Sequence, residues 1–341
     1  MTSKLSGFSM LGGRVLVTPT ILRSLAAPRF ASLLRQQGLE VVFPQVGDRP
    51  LSEADLLEQL PGHVAVLAGM EPYTSAVLAR AVPPLRVIAR VGVGYDAVDI
   101  EAATAHGVAV TIAPGQNHDS VAEHAFGLML AVLRKIAVHD RGMRQGLWLR
   151  ELTRPVRGLT LGLVGLGRIG RAMVPRARAF GMRVVAHDVQ PDLAWAEANG
   201  VQIVSLSDLL RQADVISLHA PLTPATRHLI NAESLRWVKP TAVLINTARG
   251  GLVDETALLE ALRAGRLAAA GLDVFAVEPL PANHPFTHME QVVLTPHTAG
   301  TDEQAAANMA ALAAESVVTL LGGGWPEAQI VNPAVRSSWQ H

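Results

Sequence analysis

Short apolar runs recur along the chain, separated by segments whose apolar positions fall at helical spacing. Runs of this length bounded by Gly or Pro read as buried strands, and their alternation with amphipathic helices is the pattern of βαβ units on a parallel sheet. The first set is "RVLVTP", "LEVVFP", "HVAVLAG", "LRVIARVG" and "GVAVTIAP". Between them, "SEADLLEQL" and "TSAVLARAV" open on Ser and Thr, whose hydroxyls cap helix N-termini. One α/β unit is therefore predicted to end near Pro114.

A helix is predicted from Ser120 to Ala137 with Asp119 as its cap, followed by a polar connector punctuated by Gly142, Gly146, Pro155 and Gly158. The alternation resumes at Leu161 with "LGLVG", "MRVVAHD", "DVISLHAP", "AVLINTARG", "AAAGLDVF" and "QVVLTPH", separated by helices such as "DETALLEALRAG". This second unit has about the length of a dinucleotide-binding domain. The alanine-rich "EQAAANMAALAAESVVTLL" is a helical segment that either extends the second domain or returns to the first, and "RSSWQH" reads as a tail. The predicted class is α/β, with two domains of parallel sheet.

Composition narrows the functions. At 341 residues the chain is long enough for two ordinary cores. Lys plus Arg equals Asp plus Glu at 29 each, with no block of like charge, which argues against nucleic acid or an anionic membrane as the partner and for a small molecule. Uninterrupted apolar stretches such as "AFGLMLAVL" fall short of the roughly 18–20 residues of a membrane span. The N-terminal "MTSKLSGFSMLGGRVLV" lacks the apolar core and cleavage site of a signal peptide, so a cytoplasmic location is expected. Zero cysteines remove disulfides, thiolate nucleophiles and Cys-based zinc sites. His118 and His124 are six residues apart, not the i, i+4 pair of a helical zinc site, and no metal is expected.

The strongest local signal is "LGLVGLGRIGRAM", where Gly165, Gly167 and Gly170 form G-x-G-x-x-G between a strand and a helix. The first glycine allows a tight turn, the second close approach of a pyrophosphate, and the third close helix–strand packing. Arg168 and Ile169 then lie at a helix N-terminus that favours phosphate charge. Such loops also occur for packing alone. Asp188 ends the next strand 18 residues after Gly170, near the offset of about 20 at which an acid binds the adenosine ribose and disfavours a 2′-phosphate. It could equally cap the following turn.

The later strand ends carry His219 in "SLHAP", Arg249 in "INTARGG", Asp273 in "GLDVF" and His297 in "LTPHTAG". A histidine past an apolar strand can be a solvated loop residue, a capping group, a metal ligand or a general acid. Polar residues at the carboxyl edge of a parallel sheet, where such sheets bind ligands, are consistent with a site.

These segments resemble the D-isomer-specific 2-hydroxyacid dehydrogenases, a family that includes phosphoglycerate, glycerate and glyoxylate/hydroxypyruvate enzymes. "VGLGRIG", "HAPLTPATRHLIN", "LINTARGGLVDETALLEAL", "AGLDVFAVEPLP" and "VVLTPHTAG" occur in family order, with "ARVGVGYDAVDIEAA" and "DSVAEHAFGLMLA" upstream. The resemblance implies NAD as cofactor and a 2-hydroxy acid or 2-keto acid as substrate. It implies that Arg249 holds the substrate carboxylate, His297 exchanges the substrate proton and Glu278 pairs with His297. Arginine offers a charged planar fork, histidine gives and takes a proton near neutrality, and a carboxylate partner favours the imidazolium.

By the same resemblance Pro221, Thr226, Thr247, Ala248 and Gly300 join the cofactor contacts with His219, Asp273 and His297, and Asp273 lies near the nicotinamide carboxamide. The "VGVG" turn sets Val93 and Gly94 against the substrate carboxylate with Arg90 nearby, on a backbone loosened by Gly92 and Gly94. The implied substrate domain is 1–113 with 299–341, and the cofactor domain is 114–298. An active-site cleft between them, domain closure in turnover and a homodimer through the cofactor domain are also implied. D-3-phosphoglycerate dehydrogenase is the nearest alternative, favoured by Arg90, which stands where phosphate-handling relatives also tend to carry arginine, and disfavoured by Glu71 where some of them have a further base. Formate dehydrogenases carry glutamine where Glu278 stands. A nucleotide-sensing corepressor-like scaffold is the rival of another class.

Overall fold

Helices start where the sequence supplies caps. Ser52 accepts the Asp55 N–H while the Asp55 side chain accepts the Ser52 N–H, a reciprocal box that opens the helix Glu53–Gln59. Thr74, Asp99, Asp192, Ser205, Asp254 and Asp302 each cap the helix that follows them. The computed structural model describes residues 10–25, 28–47 and 49–339. Residues 1–9, read above for a leader, and the last two residues of the closing tail lie outside the described residues. The chain divides into two compact units, Met1–Asn117 with Thr301–His341, and His118–Gly300.

The first unit is built on β1 (Arg14–Val17), β2 (Glu40–Val42), β3 (Ala65–Ala68), β4 (Val87–Arg90) and β5 (Ala109–Thr111). The strands are parallel in the order β2-β1-β3-β4-β5. Because side chains alternate across a sheet, Leu16, Val66, Ile88 and Val110 pack on one face with Leu56, Tyr73 and Leu78. Val15, Val17, Leu67 and Ala89 pack on the other with Phe30, Leu34 and Val317.

The helix Glu303–Leu321 is, by length and composition, apolar enough to cross a membrane, which uninterrupted runs of the strongest hydrophobes do not reveal. Ala310, Ala313, Ala314, Val317 and Leu320 are nevertheless buried in this unit's core, and it is read as a core helix. The C-terminal segment is more than a tail. Asn332 accepts the Val110 N–H at 2.8 Å and donates to the Val108 carbonyl at 2.9 Å; Val335 is fully buried, and Arg86 stacks 4.5 Å over Trp339.

The second unit carries β6 (Thr160–Val164), β7 (Arg183–His187), β8 (Gln202–Ile203), β9 (Val215–Leu218), β10 (Val243–Asn246), β11 (Ala269–Leu272) and β12 (Val292–Leu294). They are parallel in the order β12-β11-β10-β9-β6-β7-β8. The edge strand β8 has two residues, too few for a sequence pattern. The predicted helix Ser120–Ala137 is instead His118–Leu133, and the polar connector contains a second helix, Ile136–Arg144. Lys135, in a left-handed conformation at φ 52°, breaks the two apart. Asp119 lies in the first turn, where it pairs with Arg176 at 3.1 Å rather than capping.

Candidate active site

Strand order reverses direction at β6, which has β7 on one side and β9 on the other, and the glycine loop leaves the carboxyl end of β6. Open α/β sheets bind ligands at such a switch point. Gly165 sits at φ 98°, and a Cβ there would lie 2.7 Å from the carbonyl carbon and oxygen of His219. A Cβ on Gly170 would meet the Gly165 carbonyl oxygen at 2.3 Å, whereas Gly167 faces open space. Gly167 is the N-cap of the helix Arg168–Ala179 and offers no side-chain cap, so the helix begins with N–H groups available to an anion. Asp188, just past β7, accepts the Leu166 N–H of the loop at 2.7 Å and the Gln190 N–H at 2.8 Å. It reaches the glycine loop and caps its own turn at once.

Along the same edge, His219 follows β9, with Nε2 2.9 Å from Ser217 Oγ. Burial pushes its pKa down to about 4, so the ring is neutral at neutral pH. His219 Nδ1 and, after β10, Thr247 Oγ1 are buried without a hydrogen-bond partner. Two orphaned polar atoms beside a phosphate-ready helix end fit a polar, dinucleotide-like ligand. In the neighbouring loop Thr226 Oγ1 donates to the Pro221 carbonyl at 2.7 Å, closing that turn, and the Ala248 N–H binds Asn246 Oδ1 at 3.1 Å.

Arg249 and Glu278 come from turns after β10 and β11. They are held close because Gly250 packs directly on the Phe275 backbone: a Cβ on Gly250 would lie 2.0 Å from the Phe275 carbonyl carbon. Glu278 Oε1 accepts the Phe275 N–H at 2.8 Å, and Oε2 lies 2.7 Å from His297 Nδ1. Burial works to raise the Glu278 pKa, but hydrogen bonding to His297, the His297 charge, the Phe275 N–H and the Arg249 charge together hold it below the ordinary value. The two side chains are 25% and 29% exposed, partly shielded yet open to a small molecule. With Nδ1 engaged, Nε2 is the nitrogen His297 can turn to a substrate.

Asp273 is completely buried. Its carboxylate accepts the Thr298 and Ala299 N–H groups at 2.9 Å each, and its carbonyl accepts the His297 N–H at 2.8 Å. The turn bearing His297, which ends at Gly300, is thus wound around Asp273.

In the first unit, Arg90 is buried at the end of β4 and donates to the Gly94 carbonyl at 2.8 Å and the Ala68 carbonyl at 3.0 Å. It ties the Val93–Gly94 turn to β3. No hydrogen bond from the N–H of Val93 or Gly94 is formed among the described residues. Gly92 and Gly94 do not adopt left-handed conformations. In the loop after β3, Glu71, 4% exposed, accepts from Thr18 Oγ1 at 2.8 Å and from the Tyr73 hydroxyl at 3.4 Å. Thr18 and Tyr73 gave no sequence signal because an isolated hydroxyl at a strand end has no pattern.

The model of the D-isomer specific 2-hydroxyacid dehydrogenase, NAD binding domain, matches residues 126–299. The chain belongs to the D-isomer specific 2-hydroxyacid dehydrogenase family. It is 42% identical to a glyoxylate reductase of Thermofilum pendens (strain DSM 2475 / Hrk 5), over 87% of this chain and 89% of that one. It is 44% identical to a D-3-phosphoglycerate dehydrogenase of Mycobacterium leprae (strain TN), over 89% of this chain but 59% of that longer one. The crystal structure of the TT0316 protein from Thermus thermophilus superposes with a TM-score of 0.83 at 42% identity, covering 93% of this chain and 99% of that one. This dehydrogenase is accordingly an NAD-dependent oxidoreductase that interconverts 2-hydroxy acids and 2-keto acids. The glycine loop, Asp188 and the orphaned atoms of His219 and Thr247 are suited to hold NAD.

Proposed function

We propose that the enzyme reduces, and in reverse oxidises, a small unphosphorylated D-2-hydroxy/2-keto acid pair, with Arg249 binding the carboxylate and His297 exchanging the proton. The observation that carries this reading is the 2.7 Å hydrogen bond between His297 Nδ1 and Glu278, with the Arg249 charge near enough to act on Glu278. Bound NAD(H) supplies or accepts the hydride. During reduction His297 Nε2–H donates to the carbonyl oxygen as negative charge develops there, and in oxidation the neutral ring takes the hydroxyl proton back. Glu278 compensates the imidazolium, and the Arg249 fork fixes the carboxylate and polarises the adjacent carbonyl.

The proposed cofactor domain is 114–298, and the proposed substrate domain is 1–113 with 299–341. In the latter, the Val93–Gly94 turn, which Arg90 ties to β3, is the proposed substrate contact. Phosphoglycerate oxidation is the second reading, favoured by the 44% identical relative. Against it stands Glu71, a buried carboxylate in the loop after β3, whose charge would oppose a phosphate bound near that loop.

A homodimer is supported by the exposed apolar side chains of Ile136, Met143, Leu147, Trp148 and Leu152, close together in one segment of the second unit; Trp148 and Leu152 are 78% and 99% exposed. A cytoplasmic location is supported by dependence on an intracellular coenzyme. NADH oxidation with glyoxylate, pyruvate, hydroxypyruvate and 3-phosphohydroxypyruvate tests the activity. Coenzyme binding without turnover of any of them would favour a nucleotide-sensing scaffold instead.

A further inference from the structure

His124 belongs to no motif with an assigned role, yet the helix His118–Leu133 delivers it to the turn after β12. Its Nε2 lies 2.9 Å from Thr295 Oγ1, which lies 2.6 Å from Asp273 Oδ1. Counting donors sets the direction of this chain. A hydroxyl has one proton, and Asp273 already accepts from two backbone N–H groups, so the threonine proton goes to the carboxylate. Thr295 must then accept from His124, whose Nε2 carries a hydrogen. That nitrogen also lies 3.6 Å from Asp273 Oδ1, and the side chain is 26% exposed.

The other end of the chain is His297. Its N–H binds the Asp273 carbonyl, and its backbone holds a left-handed φ of 54°, a conformation that a residue with a Cβ keeps only when its neighbours impose it. The neighbours here are the hydrogen bonds that converge on Asp273. The Thr295 side chain both donates to Asp273 and accepts from outside the turn.

We infer that His124 is a positioning residue for proton transfer: by donating to Thr295 it fixes the Asp273 carboxylate and, through it, the turn that presents His297 to the substrate. The inference rests on the proposed acid/base role of His297. Proton transfer is sensitive to sub-ångström placement of the donor, whereas coenzyme and carboxylate binding depend on other groups. Loss of the His124 donor therefore acts on kcat more than on KM.

The test uses the full-length enzyme with NADH and its best 2-keto acid. His124→Leu should lower kcat by about tenfold and raise the solvent deuterium isotope effect on kcat, while KM for the keto acid and Kd for NADH change by less than about threefold. His124→Gln, which retains an N–H donor, should recover most of kcat. Thr295→Val should reproduce the loss, and His124→Leu should add little in that background, since both cut the same bond. Full kcat in His124→Leu, or independent losses in the double variant, would overturn the inference. If His124→Leu does not fold, Thr295→Val against Thr295→Ser reads the same bond. A fully active His297→Gln would overturn the underlying acid/base reading; an inactive His297→Gln beside a fully active His124→Leu would overturn only the role of His124.

Discussion

Glu278 grips His297 from a fixed position: one carboxylate oxygen is 2.7 Å from His297 Nδ1 while the other is anchored 2.8 Å from the Phe275 N–H. The Glu278 pKa is lower in the folded chain, so the stabilisation from the pair is complete above the ordinary carboxylate value of 4.5 and is lost only as pH falls through the depressed one. Glu278 therefore stays ionised throughout the working range. Replacing it with Gln removes the charge that supports an imidazolium, and the alkaline limb of kcat/KM for reduction should move to lower pH. His297→Gln should reduce kcat by about 10²–10⁴-fold at every pH and leave NADH binding nearly intact. Rate–pH profiles with a separate NADH titration check both; an unmoved limb in Glu278→Gln would separate Glu278 from the proton donor.

Arg249→Lys keeps a positive charge but loses the planar fork. We expect kcat/KM for 2-keto acids to fall by about tenfold or more, with Kd for NADH unchanged. Equal catalytic efficiency in the variant would remove Arg249 from the substrate site.

Sequence and structure agree best where chemistry and backbone geometry demand particular residue types at short range. Gly165, Gly167 and Gly170 are legible because the positive φ of Gly165 and the close approach at Gly170 exclude side chains within one short turn. Ser52 and Thr74 were legible as caps for the same reason, since a cap acts within three residues. The work of Asp273 was not legible, because the turn it holds lies 22 to 26 residues away in sequence. His124 and Thr295 are 171 residues apart, and no local pattern could join them. The break at Lys135 was hidden too, because a left-handed lysine leaves no compositional mark.

Asp188 presents a carboxylate at the glycine loop, where a coenzyme 2′-phosphate would meet like charge. NADH should exceed NADPH in kcat/KM by about tenfold or more, since each decade corresponds to about 1.4 kcal/mol. Asp188→Ser should narrow that ratio. Equal use of the two coenzymes by the unaltered enzyme would contradict the placement.

Glu71 is held by Thr18 and Tyr73 in a nearly water-free site, so it cannot swing away from an approaching anion. Glu71→Gln keeps the shape and removes the charge. The ratio of kcat/KM for 3-phosphohydroxypyruvate over hydroxypyruvate should rise by about tenfold in the variant. An unchanged ratio would mean that Glu71 serves the unit's structure and does not select the substrate.

His219 provides a test that combines stability with cofactor binding. Its ordinary value of 6.5 falls to about 4 in the folded chain because burial disfavours the charged ring. The unfolded chain therefore binds a proton that the native state refuses. Stability should be greatest above about pH 6.5 and decline toward pH 4, this residue contributing a loss on the order of 3 kcal/mol across that window. Urea midpoints measured from pH 7 to pH 4 should fall less steeply in His219→Gln than in the unaltered protein, because the glutamine amide does not titrate there. The same ring leaves Nδ1 buried without a partner at the edge that carries the glycine loop. If bound NADH supplies that partner, His219→Phe should weaken NADH affinity measured by fluorescence titration. A steep acid loss that survives in His219→Gln would assign the proton uptake to other groups, and unchanged NADH affinity in His219→Phe would remove Nδ1 from the cofactor contacts.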